Sequence, residues 1–250
     1  MAGNYHYGVF IHGITLNDPG KNNTSCVLNS FKPNQPITMK TKPEFLESRG
    51  YTLLDRLDHK ELVPFVQQYL FRMSFWPLLY LFFILVSFTS LIVLFFHGDF
   101  VYPEFSVEDA LSKAMLGFAS AFLLIPLHEY LHAIAYRICG AREVSFDADL
   151  KKLIFMAIAH RFVASAREFR FVAIAPFAFI SMSAIAALTF LPGNYSIAAL
   201  ALVFTHAAFC GGDFAMLAYL DFHKDKTVVT WDDRVRKETW FYGKPRNLVK

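Results

Sequence analysis

Four apolar stretches dominate the chain, roughly Phe75 to Phe96, Ala114 to Cys139, Phe171 to Leu191 and Ser196 to Leu220. As a helix, each is long enough to cross the roughly 30 Å of hydrocarbon in a bilayer. The region before them is polar, with turn-forming runs NDPGKNN and KPNQP, and only Glu44 to Phe71 carries a helical pattern. Ser106 followed by Asp109 reads as a helix cap, so the second helix starts before its apolar stretch. Pro192 and Gly193 in LPGN join helices three and four by a tight turn. Between helices two and three, EVSFDADLKKLIFMAIAH alternates and then runs apolar about a DADLKK turn, which predicts a β-hairpin near the membrane interface. The expected fold class is an all-α membrane protein of about four transmembrane helices, with a small β-hairpin between helices two and three. Three regions follow: an arm over 1–70, a membrane-embedded domain over 71–222 and a basic tail over 223–250.

Composition agrees with that pattern. With 55% hydrophobic, 17% aromatic and only 18% charged residues, the chain is too apolar for an ordinary water-soluble domain. Its net charge of +3 carries little information as a total, and nothing calls for a nucleic-acid partner. The placement of the charges is more telling. The loop between helices one and two has Asp99, Glu104 and Glu108 without Lys or Arg, whereas every Lys and Arg except Lys113 falls in the arm or, as Arg72, directly after it, in the 137–170 loop or in the tail. The positive-inside tendency then puts both termini and the hairpin in the cytoplasm. Cys26, Cys139 and Cys210 are too far apart to suggest a disulfide framework. The N-terminal residues lack the basic start and apolar run of a signal peptide, so they are expected to stay uncleaved.

Helix two contains LHEYLHAIAY, in which His128 and His132 are one helical turn apart and face the same way, the HExxH pattern for two imidazoles on one metal ion. Glu129 lies on the adjoining face, where its carboxylate reaches a water without being a ligand; zinc lowers that water's pKa toward neutrality and Glu129 takes its proton. Chance decoration of a helix is the competing reading. Each ionisable group inside an apolar span costs on the order of 2 to 3 kcal/mol unless paired or metal-bound, which argues against it. Zinc needs a third protein ligand, and Asp213 in CGGDFAML is the carboxylate of helix four at matching depth. A capping or interhelical hydrogen bond is its bland alternative. His206 is the rival ligand, and Glu168, at the entrance of helix three, is a further one. His160, at the end of the hairpin, is a candidate contact to substrate or oxyanion, or a plain interfacial histidine. Pro126 and Pro176 are expected to kink their spans or open a cavity.

Three stretches carry a resemblance: LHEYLHAIAYRICGAREVSF, MAIAHRFVASAREFRFVAIAPF and CGGDFAML. Together they resemble a small bacterial family of zincin peptidases, long catalogued as a domain of unknown function and distantly similar to site-two proteases. The resemblance covers approximately residues 70 to 222. It implies a membrane-embedded peptidase fold in a bacterial inner membrane, with His128, His132 and Asp213 as zinc ligands and Glu129 as base. The chain departs from site-two proteases, which place their aspartate in an Asn-Pro-containing stretch ending Asp-Gly; here Asp213 follows Gly211-Gly212 and precedes Phe214.

The expected activity is peptide-bond hydrolysis by a zinc-activated water, with the lipid bilayer and a membrane or juxtamembrane protein substrate as partners. The alternative is a non-catalytic metal-binding membrane module acting as a sensor or partner, and Glu129 discriminates between the two.

Overall fold

The computed structural model describes residues 43–101, 106–149 and 154–246. The first 42 residues of the arm with Cys26, the loop residue Glu104 and the hairpin tip over 150–153 lie outside them. Elements run α1 (Pro43–Ser48), β1 (Thr52–Asp58), α2 (Leu62–Leu70), α3 (Phe75–Val101), α4 (Val107–Leu123), α5 (Ile125–Ile138), β2 (Val144–Asp149), β3 (Ile154–Ala159), β4 (Val163–Ser165), α6 (Ala166–Ala187), α7 (Ser196–Phe209), α8 (Gly211–Phe222), β5 (Lys226–Asp233) and β6 (Glu238–Pro245). Single 3-10 turns, His59–Glu61 and Gly193–Tyr195, connect β1 to α2 and α6 to α7.

Among the described residues, two helices are long and apolar enough to cross a membrane, within α3 and α6. The other two expected spans are each a bent pair, α4–α5 at 42° and α7–α8 at 48°, giving up to four spans if each pair counts as one. The α4–α5 break falls at Leu124, just before Pro126 in the first turn of α5, where a missing N–H costs nothing because that donor has no helical partner. The α7–α8 break falls at Cys210, just before the glycine pair. Ser106 caps α4 by accepting from the Asp109 N–H at 3.1 Å, as the sequence predicts.

The pairs pack together by backbone proximity. A Cβ placed on Gly117 of α4 would lie 2.1 Å from the Ala198 carbonyl oxygen and 2.8 Å from the Ala201 Cβ, so only glycine lets α4 and α7 meet so closely. The glycine pair at the α8 start is different. Gly211 would meet Tyr80 Oη at an ordinary 3.4 Å and Gly212 would meet nothing within 4 Å, so close helix packing is not the reason for Gly212.

The expected hairpin forms: β2 and β3 pair antiparallel with Val144 opposite Ala159 and Asp149 opposite Ile154. A second sheet was not expected. Strands β1, β6, β5 and β4 form an antiparallel four-stranded sheet in that order, joining the arm to the tail. One of its faces packs Val229, Trp231, Trp240 and Tyr242 with Leu46 and Tyr51. The other turns Val228 and Phe241 toward Phe65 and Tyr69 of α2 and Tyr219 of α8, the Tyr219 and Phe241 rings lying 4.1 Å apart. Burial on both faces ties arm and tail to the helices, so the chain is mostly helical with two small antiparallel sheets.

Candidate metal centre

Both bends lead into the same place. One turn after the Leu124 break, α5 presents His128 and His132; three residues after the Cys210 break, α8 presents Asp213. The His128 and His132 Nε2 atoms are 3.1 Å apart, Asp213 Oδ2 is 3.2 Å from the first and Asp213 Oδ1 is 3.3 Å from the second. Tetrahedral zinc with ligand bonds of about 2.0–2.1 Å separates its ligands by about 3.3 Å, so the three donors have the mutual spacing of one face of such a site.

Proton bookkeeping sharpens this. His132 Nδ1 lies 2.9 Å from the Val172 carbonyl of α6, which only accepts, so Nδ1 carries the proton and a neutral ring leaves Nε2 bare. That bare nitrogen faces a carboxylate oxygen, which is repulsive unless a cation, proton or metal, lies between them. His128 Nδ1 is anchored too, 3.1 Å from His206 Nε2 of α7. Both histidines of α5 are therefore held by a partner on the nitrogen away from the cluster, the usual support of metal-binding imidazoles. Glu129 Oε2 is buried with no hydrogen-bond partner among the described residues, an orphan that a metal site with a water would satisfy.

The cluster lines a cavity of about 390 Å³ whose opposite wall is β3. His160 N–H bonds the Glu143 carbonyl at 3.1 Å, so alternation along the strand turns the N–H groups of Ala159, Ala157 and Phe155 to the other edge. There, the Ala159 N–H donates to Asp232 and the Ala157 N–H is directed at the Glu129 carboxylate. Residues 155 to 157 thus present to the cavity an edge that has no ladder partner among the described residues.

The structure separates the sequence candidates. His128, His132 and Asp213 converge as one donor set, and Glu129 stands beside it. His206 belongs to a second set with His128 and Cys210, in which it meets the far nitrogen of His128. Glu168 is used elsewhere: it completes a capping box with Ser165, whose N–H donates to it at 2.8 Å. His160 is not among the residues around the metal cavity. Its Nδ1 accepts from the Arg234 N–H at 3.2 Å, and it borders a separate surface depression. Pro176 sits buried inside α6.

Sequence reasoning missed three cavity residues, His59, Asp232 and Thr239, all buried. Thr239 Oγ donates to Asp232 Oδ1 at 2.9 Å and lies 3.1 Å from His59 Nε2. Burial pushes the Asp232 carboxyl up to about 6, against the Thr239 and Ala159 donors, and pushes the His59 imidazole down. TVVTW and ETWFY about DDRVRK carry the hairpin signature that would have placed Asp232 and Thr239; His59 has no such signal.

No curated protein and no solved structure matches the chain. A family model does match, over α5, the hairpin, α6, α7 and α8 with their metal cluster. Residues 121–228 match the model of the family described as "Putative zincin peptidase", the family that the sequence resembles.

Proposed function

We propose that the protein is a membrane-embedded zinc metallopeptidase that hydrolyses peptide bonds, with His128, His132 and Asp213 as ligands and Glu129 as general base. The convergence of two imidazole nitrogens and one carboxylate at 3.1 to 3.3 Å beside an unpartnered glutamate oxygen carries this reading. Zinc, when bound there, supplies Lewis acidity that brings the pKa of water to about 7. The chain's own groups do the rest. Glu129 Oε2 is the atom that accepts the water's proton and delivers it to the departing amide nitrogen. The edge of β3 over Phe155 to Ala157 holds the substrate extended by main-chain pairing, beside the base that acts on it. An extended segment suits this site, because a helical peptide bond is already hydrogen-bonded and shielded. Juxtamembrane or unwound membrane segments of proteins are thus the substrate class, in a bacterial inner membrane with both termini cytoplasmic. His206 acts as the hydrogen-bond partner of His128 and not as a ligand.

A non-catalytic metal-binding module would keep the cluster but have no use for Glu129. Detergent-purified protein is incubated with a fluorogenic library of unstructured peptides. Wild type is expected to cleave, and Glu129→Gln to keep its zinc while losing cleavage by at least about a hundredfold. Equal cleavage by Glu129→Gln would overturn the base assignment, and zinc without cleavage in either protein would favour the binding module.

A further inference from the structure

Away from the metal cavity, the end of α5, the start of β2 and the β5–β6 turn enclose a surface depression of about 350 Å³. It is bordered by Arg137, Arg142, Arg234, His160, Ser145 and Glu143. The three arginines are exposed, and their side chains make no ion pair among the described residues. Three other arginines of the fold are ion-paired, Arg56 with Glu238, Arg170 with Asp221 and Arg236 with Asp233, while Arg49 and Arg72 lie over aromatic rings. Against three unpaired guanidinium groups the depression has one carboxylate, Glu143, so its charge is net positive.

Two neutral groups add donors. His160 Nδ1 accepts the Arg234 N–H, so a neutral ring has its proton on Nε2, and the Ser145 Oγ is buried with no partner among the described residues. Guanidinium forks, an imidazole N–H and a hydroxyl around one concavity are the donor set of a phosphate site.

The surroundings point to the source of that phosphate. Leu127, Tyr130, Ile134 and Ile138 form one exposed apolar stripe along α5, and it stops at the depression. The residues following Arg137, Ser145 and Arg234 are Ile138, Phe146 and Val235, exposed by 70%, 56% and 80%. Each of the three thus pairs a polar group of the depression with an apolar neighbour in the open. That pattern places the rim where hydrocarbon gives way to headgroups.

We propose that this depression binds the phosphate of an anionic phospholipid headgroup, fixing the height of α5, and with it the metal cluster, relative to the membrane surface. The test is lipid retention by the full chain in a non-ionic detergent, read by native mass spectrometry. Dioleoylphosphatidylglycerol and dioleoylphosphatidylcholine are the probes. Wild type is expected to retain the anionic lipid over the zwitterionic one. Joint Arg137→Gln, Arg142→Gln and Arg234→Gln is expected to weaken retention by about a hundredfold, at about fivefold per arginine. The single Arg142→Glu, in a loop, gives the same direction if the triple variant does not fold. The matching Lys variants keep the charge and should keep most of the binding. Retention unchanged in both the triple Gln variant and Arg142→Glu overturns the site. Equal loss from Arg161→Gln with Arg167→Gln, outside the depression, overturns it as well by showing general surface charge. Displacement of the lipid by about 10 mM inorganic phosphate would overturn the lipid as source and assign a soluble phosphate instead.

Discussion

The straight and the bent candidate spans divide the work of the helical region. The α3 candidate span runs as one helix from Phe75 to a kink at His97, is exposed through residues such as Phe82, Leu85 and Phe88, and contributes nothing to the metal cluster. α6 is also unbroken and contributes one backbone carbonyl, that of Val172. All three ligand candidates come from the bent pairs, each within three to eight residues of its break. A straight apolar helix satisfies its own backbone and offers lipid a uniform surface, whereas a break opens the cavity in which ionisable groups can meet one another.

The comparison breaks most severely at Gly117, where the two bent pairs touch. Gly117→Leu would drive a side chain into the Ala198 carbonyl, and we expect a loss of more than about 3 kcal/mol of stability in detergent unfolding, with Gly117→Ala costing about 1 to 3. Unchanged unfolding of the leucine variant would show that the pairs do not meet there.

Two buried carboxylates supply the next test. Asp213 has imidazoles on both oxygens, while Asp232, on the sheet, has only neutral donors. Burial raises the Asp232 carboxyl from 3.8 to about 6, so the folded state holds its proton more tightly than the unfolded chain does. Its contribution to stability is full below about pH 4 and is lost as pH rises through about 6, by up to about 3 kcal/mol. Melting curves of wild type and Asp232→Asn should therefore diverge between pH 4 and pH 6, the wild type alone losing stability. Parallel curves would remove burial as the governing effect.

Smaller effects sharpen the account of the imidazoles. His206→Leu removes the acceptor for His128 Nδ1 and should weaken zinc affinity by about 10- to 100-fold, with His206→Gln restoring most of it. Equal affinity in the leucine variant would reduce His206 to packing, and a second equivalent of zinc in wild type would make it a ligand through the set with Cys210. The smallest change is at Gly212. Gly212→Ala meets open space and should raise stability by about 0.5 to 1 kcal/mol through helix propensity alone, the opposite sign from Gly117→Ala.

How much of this could be read in the residues depended on the range of the signal. The HExxH spacing is local, so its facing imidazoles were legible, and the depth match of Asp213 followed from counting turns along apolar runs. The hairpin between α5 and α6 showed in its alternation. Three things did not show. The bend at Cys210 falls inside a continuous apolar stretch, where hydropathy gives no sign of direction, whereas the one at Leu124 had Pro126 as its signal. The pairing of β1 with β6 joins residues as far as 191 positions apart, Thr52 and Gly243, which no local pattern reports. Glu168 read as a possible ligand because its chemistry suits one, but three residues earlier Ser165 offers it a cap, a local pairing that an alternative scan of SAREF would have found.

Metal content is the most direct test of the convergent donor set. Detergent-purified wild type, His132→Ala and Asp213→Ala would be measured by inductively coupled plasma mass spectrometry after zinc reconstitution and desalting. The account predicts about one zinc per chain in wild type and its loss in both variants, since each removes one of three protein ligands. Wild type without zinc, or an Asp213→Ala variant that keeps it as tightly as wild type, would contradict the claim that the two bent spans meet at a metal.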